Sequence, residues 1–157
     1  QVIIVVYVDA SHGANKVTRQ SHTGFVIFVN RAPIIWFSKR QQTVETSAFS
    51  AEMIALKACV EAIQGLWYKL RVFGVPLAQG EPAFVLCDNE SAVNNASRVE
   101  SVLKKKHSSV AYNYIRWAKA AEIIRVAWLP TDENLADTFT KRLPQIKRKK
   151  LFGDWTY

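Results

Sequence analysis

The 157-residue chain has only two cysteines, no internal repeat or low-complexity stretch, and no apolar run near the roughly 20 residues needed to span a bilayer. Cys59 and Cys87 are too few for a disulfide framework or a zinc site of usual spacing, and both fall in apolar segments, so buried thiols in a reducing compartment are expected. A secretory signal is also missing. Gln1-Val2-Ile3-Ile4 leads straight into an apolar segment, with neither the basic flank nor the small-residue cleavage site of an export signal. The expectation is a soluble fragment cut from a longer protein, with no membrane partner. Acidic residues are in the minority, 13 against 21 Lys and Arg, and the net charge of +8 favours a polyanionic partner.

What is present suits one domain with a single core. Val2 to Val8 is continuously apolar and mostly β-branched, the pattern of a strand covered on both faces, and it ends in Asp9. Gly24 to Val29 and Pro33 to Ser38 read as a hairpin turning at Asn30-Arg31. A long helix follows, N-capped by Thr46 or Ser47 and stopped before Gly74; Phe49, Met53, Leu56, Val60, Ile63, Trp67 and Leu70 form its apolar stripe. Ala83 to Cys87 is a second wholly apolar strand and ends in Asp88. Helices are predicted over Asn89 to Ala96 and His107 to Ala121, the latter with Val110, Tyr114, Trp117 and Ala121 on one face. A strand over Ile123 to Leu129 and a last helix over Leu135 to Arg142 complete the pattern. The order β-β-β-α-β-α-α-β-α predicts an α/β fold, a five-stranded mixed sheet with helices on both faces. Residues 1–143 form the domain in this reading, and 144–157, with the run Lys147-Arg148-Lys149-Lys150, a basic C-terminal tail. Trp36, Trp67, Trp117 and Trp128 are expected in the core.

Asp9 and Asp88 close two apolar strands joined by a helical crossover, as parallel neighbours are, so both carboxylates fall at one edge of the sheet. Such carboxyl edges are where open α/β sheets build their sites. Taken singly, an Asp in that position also opens turns or caps helices. Glu52 lies about 40° from Leu56 and about 60° from Phe49 around its helix, on the flank of the buried stripe, whereas Glu61 falls roughly opposite and should face solvent. The alternative for Glu52 is a favourable placement near the helix N-terminus. Asp137 lies one turn into the last predicted helix, after Asp132 and Glu133, the more natural capping residues, and so has no obvious structural task. Four carboxylates at one edge repel unless cations compensate them, and two hard divalent ions balance four charges. That chemistry is a two-metal Mg²⁺ site for phosphodiester hydrolysis, with ions roughly 3.5–4 Å apart.

Four ordered segments then carry a resemblance: Tyr7-Val8-Asp9-Ala10, Ser47-Ala48-Phe49-Ser50-Ala51-Glu52, Cys87-Asp88-Asn89-Glu90-Ser91-Ala92, and Asn134-Leu135-Ala136-Asp137-Thr138-Phe139-Thr140-Lys141. Together with Ser38-Lys39-Arg40-Gln41 and Lys106-His107-Ser108, they resemble the ribonuclease H domain of copia-type LTR retrotransposon polyproteins along nearly the whole chain. The resemblance implies a ribonuclease H-like fold and cleavage of the RNA strand of RNA–DNA hybrids during reverse transcription. It implies Asp9, Glu52, Asp88 and Asp137 as catalytic, metal-binding residues holding two Mg²⁺ ions, with Mn²⁺ as a substitute. It also implies a polymerase domain in the same polyprotein and action in a cytoplasmic particle before the DNA enters the nucleus.

Ser47 matches a phosphate-contacting position of cellular relatives but equally reads as the helix N-cap, and Asn89, Lys39, Arg40, Lys106 and His107 are the other candidate substrate contacts. Lys104, Lys105 and the tail from Lys147 are further candidates for grip, although solvated surface charge explains such residues as well. Glu90 stands where cellular relatives often carry Gln, and Pro130-Thr131-Asp132-Glu133 lacks their mobile His. Two rivals remain open: an integrase- or transposase-type catalytic core, and an inactive nucleic-acid-binding connector. The position of Glu52, between the two Asp-bearing strands, argues against the first, and the full set of four acids against the second.

Overall fold

The computed structural model describes residues 2–77, 81–97 and 109–153. Its strands are β1 (Ile4–Ser11), β2 (His22–Val29), β3 (Ala32–Arg40), β4 (Ala83–Cys87) and β5 (Ile124–Trp128), and its helices α1 (Ala48–Val72), α2 (Glu90–Ser97), α3 (Ser109–Ala120), α4 (Asp137–Thr140) and α5 (Gln145–Phe152). They form one mixed sheet in the order β3-β2-β1-β4-β5, antiparallel from β3 to β1 and parallel from β1 to β5. The predicted five-stranded mixed sheet with helices on both faces is the one observed.

Alternation along the strands divides the core in two. Ile4, Val6 and Val8 of β1, Phe25 and Ile27 of β2 and Val85 of β4 turn to one face, where Met53, Leu56, Val60 and Ile63 of α1 and Ile115 of α3 complete the main cluster. Val26 and Phe28 turn to the other face and meet Leu135 and Leu151, with Tyr7, Phe139 and Phe152 packed around them. α1 runs as its stripe predicts: Ser47 is the N-cap, its hydroxyl accepting from the Ser50 N–H at 3.2 Å, and Gly74 beyond the end has φ +70°. Glu61 is exposed and pairs with Lys57 at 2.5 Å, as its position around the helix requires.

Four expectations need correction. α3 buries Ala111, Tyr112, Ile115 and Ala118, not the face carrying Val110 and Trp117, because the two alanines let it approach α1 closely. Trp36, Trp117 and Trp128 are not core residues: they are 66%, 50% and 53% exposed, whereas Trp67 packs against the main cluster. The last predicted helix is broken, with α4 covering four residues before Lys141 turns extended and Pro144 begins a new helix. The supposed tail is therefore structured from Gln145 to Phe152, where Leu151 is buried and Phe152 packs edge-on against Phe139; residues 154–157 lie outside the described residues.

Two contacts dock α4 against the sheet. Asn134, fully buried, donates through Nδ2 to the Val8 carbonyl at 2.9 Å and accepts from the Ala136 N–H at 3.0 Å, tying the approach to α4 to β1. Gly24 lies beneath the helix: a Cβ there would stand 2.7 Å from the Thr140 methyl and 2.8 Å from the Phe139 Cβ. A side chain must push α4 away. Gly24→Ala should therefore cost about 1–3 kcal/mol in denaturant unfolding. In contrast, Gly65→Ala, in the open on α1, should add roughly 0.5–1 kcal/mol.

Candidate active site

The register of β1 builds the site. Its parallel pairing with β4 ends at Val8 opposite Cys87, so Asp9 and Asp88 follow at the same level of neighbouring strands. β1 itself does not end there. Antiparallel pairing with β2 continues through Asp9–Gly24, Ala10–Thr23 and Ser11–His22, which holds the Asp9 backbone inside the sheet, not in a turn. Side-chain alternation puts Asp9 on the face covered by α4, where Asp137 opens the helix. Glu52 comes from α1 on the opposite face.

Asp9, Glu52 and Asp137 are all buried, and Asp88 is partly so. A Glu52 oxygen, the Cys87 sulfur and an Asp88 oxygen lie within 4.8 Å of one another. Thr140 donates its hydroxyl to Asp9 Oδ2. The Lys141 ammonium lies 2.5 Å from Asp137 Oδ1 and 3.5 Å from Asp9 Oδ2, joining the two. Lys147 of α5 lies 2.7 Å from Asp137 Oδ2 and 3.6 Å from Asp132. Among the described residues Glu52 and Asp88 thus meet in one group with Cys87, while Asp9 and Asp137 meet in another through Lys141.

Their electrostatics differ by neighbour. Burial holds Glu52 well above the usual carboxylate range, the charges of Asp9 and Asp88 push the same way, and bonds from Cys87 and the Ala10 backbone only partly offset them. Asp9 is also raised, by burial first, although Thr140 and Lys141 pull it down. Burial acts upward on Asp137 too, but bonds from Lys141 and Lys147 outweigh it and leave this acid low. The Cys87 thiol, raised by burial and by Glu52, stays neutral and donates to Glu52 Oε1 at 3.4 Å.

Ser47 and Asn89 both act as helix caps, Asn89 accepting from the Ala92 N–H at 3.0 Å. Lys39 and Arg40 are exposed on edge strand β3, in line with Ala10 and Ser11 through the rungs Thr23–Lys39 and His22–Arg40. Lys104, Lys105, Lys106 and His107 lie outside the described residues. Sequence reasoning gave Cys87, Asn134, Thr140 and Lys141 no role in the site, and put Lys147 in a tail. Strand alternation could have flagged Cys87, which must face α1 if Val85 does, and the i,i+4 spacing of Asp137 and Lys141 could have flagged their pairing; the Lys141–Asp9 and Lys147–Asp137 contacts left no such trace.

Glu52→Gln should make the metal-free protein more stable at neutral pH, because it removes a buried charge repelled by two others. The wild-type cost is absent below the ordinary glutamate value of 4.5, where the group is protonated folded or unfolded, and grows as pH rises toward the elevated folded value. Thermal unfolding in chelator across pH 4–8 should therefore show the two proteins converging at the acid end.

No family model matches the chain. It is 32% identical over 145 residues to the Retrovirus-related Pol polyprotein from transposon TNT 1-94 of Nicotiana tabacum, covering 92% of this chain and 11% of the relative. It is 29% identical over 137 residues to the corresponding protein from transposon RE1 of Arabidopsis thaliana, covering 87% and 9%. The chain thus spans about a tenth of the length of these curated relatives. Among solved structures, LC11-RNase H1 isolated from compost superposes with a TM-score of 0.66 at 21% identity, over 87% of this chain and 91% of that one. The same enzyme in complex with RNA/DNA hybrid gives 0.63 at 22%, over 87% and 92%. The chain is a domain of ribonuclease H-like fold, homologous to part of the Pol polyproteins of retrotransposons.

Proposed function

We propose that this domain hydrolyses the RNA strand of RNA–DNA hybrids during reverse transcription in a copia-type element. Asp9, Glu52, Asp88 and Asp137 hold two divalent cations, Mg²⁺ or its substitute Mn²⁺. The observation that supports the proposal is the pairing of Glu52 of α1 with Asp88 at the end of β4, and of Asp9 of β1 with Asp137 of α4 through Lys141, where β1 and β4 run side by side. The donor set fits hard cations: carboxylate oxygens predominate, and the adjacent thiol is a neutral hydrogen-bond donor. An excess of buried negative charge, expressed in the raised Glu52 and Asp9, is what such cations would relieve.

When bound, two such cations supply an activated water and stabilise the leaving oxygen. The protein's own part is orientation. Cys87 and the Ala10 N–H fix Glu52, Thr140 fixes Asp9, and Asn134 with Gly24 sets the height at which Asp137 meets the sheet. Lys39 and Arg40, about two strand spacings or roughly 10 Å to one side, are suited to the hybrid's phosphates. The capping roles of Ser47 and Asn89 leave each at the rim, where it can also meet the backbone of the substrate. In this reading the domain works beside a polymerase domain of the same polyprotein, in a cytoplasmic particle. Among the described residues no helix is long and apolar enough to cross a membrane.

The domain should cleave a labelled RNA–DNA hybrid with Mg²⁺ or Mn²⁺, stop on addition of chelator, and leave duplex DNA intact, the 2′-hydroxyl marking the strand to be cut. Asp88→Asn should abolish cleavage. An unchanged rate in that variant refutes the mechanism, and cutting of duplex DNA points to integrase-type chemistry instead. Salt-sensitive hybrid binding with no cleavage at any metal concentration means a binding module.

A further inference from the structure

The carboxylates are not equally free to take a cation. Near Glu52, Cys87 and Asp88 no lysine or arginine is bonded to a carboxylate among the described residues, whereas both oxygens of Asp137 carry ammonium groups. The two lysines differ. Lys147 joins Asp137 to the exposed Asp132 at the rim, while Lys141 reaches inward and bridges Asp137 to Asp9, acids delivered by separate elements. A positive charge shared between Asp9 and Asp137 is the contact a metal ion there would make. Its owner is tethered but not trapped: the two acid side chains are 3% and 2% exposed, the lysine 41%. The α4 backbone turns extended at Lys141, so the side chain folds back over the helix from its open end.

We propose that Lys141 is a resident counter-cation for Asp9 and Asp137, one that a divalent ion must displace to bind between them. This rests on the two-cation reading above and adds that the two ions are inequivalent. One enters the corner of Glu52 and Asp88, where no ammonium of the described residues is bonded, and the other competes with Lys141. Charge supports the order, since two lysines and one divalent ion already balance four carboxylates. The second ion must bring an excess of positive charge or release a lysine. In the metal-free chain Lys141 has the converse task, holding the Asp9–Asp137 edge together against repulsion.

The test uses Mn²⁺ as probe, with calorimetric titration of metal-free wild type and Lys141→Met and thermal unfolding in chelator. Lys141→Met should bind at the weaker of two sites about tenfold more tightly, the loss of a close ion pair on a buried acid being of that order. In chelator it should melt roughly 2–4 °C lower. Lys141→Arg should retain the wild-type pattern. In wild type, reductive methylation of Lys141 read by mass spectrometry should rise on adding Mn²⁺ while that of Lys57 stays constant, a measurement independent of whether the variants fold. Equal or weaker Mn²⁺ binding by Lys141→Met, or methylation indifferent to Mn²⁺, overturns the role of Lys141 and leaves the two-cation reading standing. Absence of any Mn²⁺ binding that Asp88→Asn removes overturns both.

Discussion

Carboxylates packed together out of water repel one another, and a fold that forces them together must hold them by covalent and packing constraints while supplying partial compensation. The edge formed by β1, β4, α1 and α4 does both. Among the described residues Glu52 has compensation only from hydrogen bonds of a neutral thiol and a backbone N–H, and its proton affinity is raised well above the usual carboxylate range. Asp137 is held by two ammonium groups and is displaced the other way. Asp9, between them, accepts from Thr140 and faces Lys141 across 3.5 Å. The gradient across a few ångströms follows from what stands next to each acid, not from residue type. It leaves the Glu52 corner in need of positive charge, the property a cation site uses.

Holding such a cluster takes rigidity from two sources. The parallel register sets Asp9 beside Asp88, and neither can slip without carrying a buried strand with it, because a shift of one residue would turn Val6 and Val8 out of the main core. The other source is close approach. α4 is one turn long, too short to stand alone, and Asn134, Gly24 and the Leu135–Leu151 cluster fix it against the second face. Helix α5 serves the same end twice, through Leu151 in the core and Lys147 on Asp137.

Much of this architecture is written locally. The β-branched runs ending at Asp9 and Asp88, the seven-residue stripe of α1 and the N-cap at Ser47 are short-range signals that tertiary contacts did not override, and the angle of Glu52 to that stripe follows from helix geometry alone. From them come the sheet, its crossover and the four acids. In α3 and α5 it is the packing partner, not apolar volume or charge, that decides which face is covered, while the break between α4 and α5 is local, at the extended Lys141 and Pro144. Val110 and Trp117 outrank Ala111 and Ala118 in apolar surface, yet small side chains are what allow α3 to approach α1. Lys147 looks solvated until α5 is seen against Asp137, whereas Arg148, Lys149 and Lys150 are exposed.

The sequence by itself determined which elements form and which residues can carry negative charge to the sheet edge, because period, capping and strand ends depend on near neighbours. Only the tertiary structure decided which charges meet which. The Asp9–Thr140 and Asp9–Lys141 contacts cross more than 130 residues of chain, and the Cys87–Glu52 bond crosses 35. No local pattern encodes such distances. They arise when β1 is clasped between two layers of helix, and the raised proton affinities of Glu52 and Asp9, the lowered one of Asp137 and the ammonium partners of Asp9 and Asp137 arise with them.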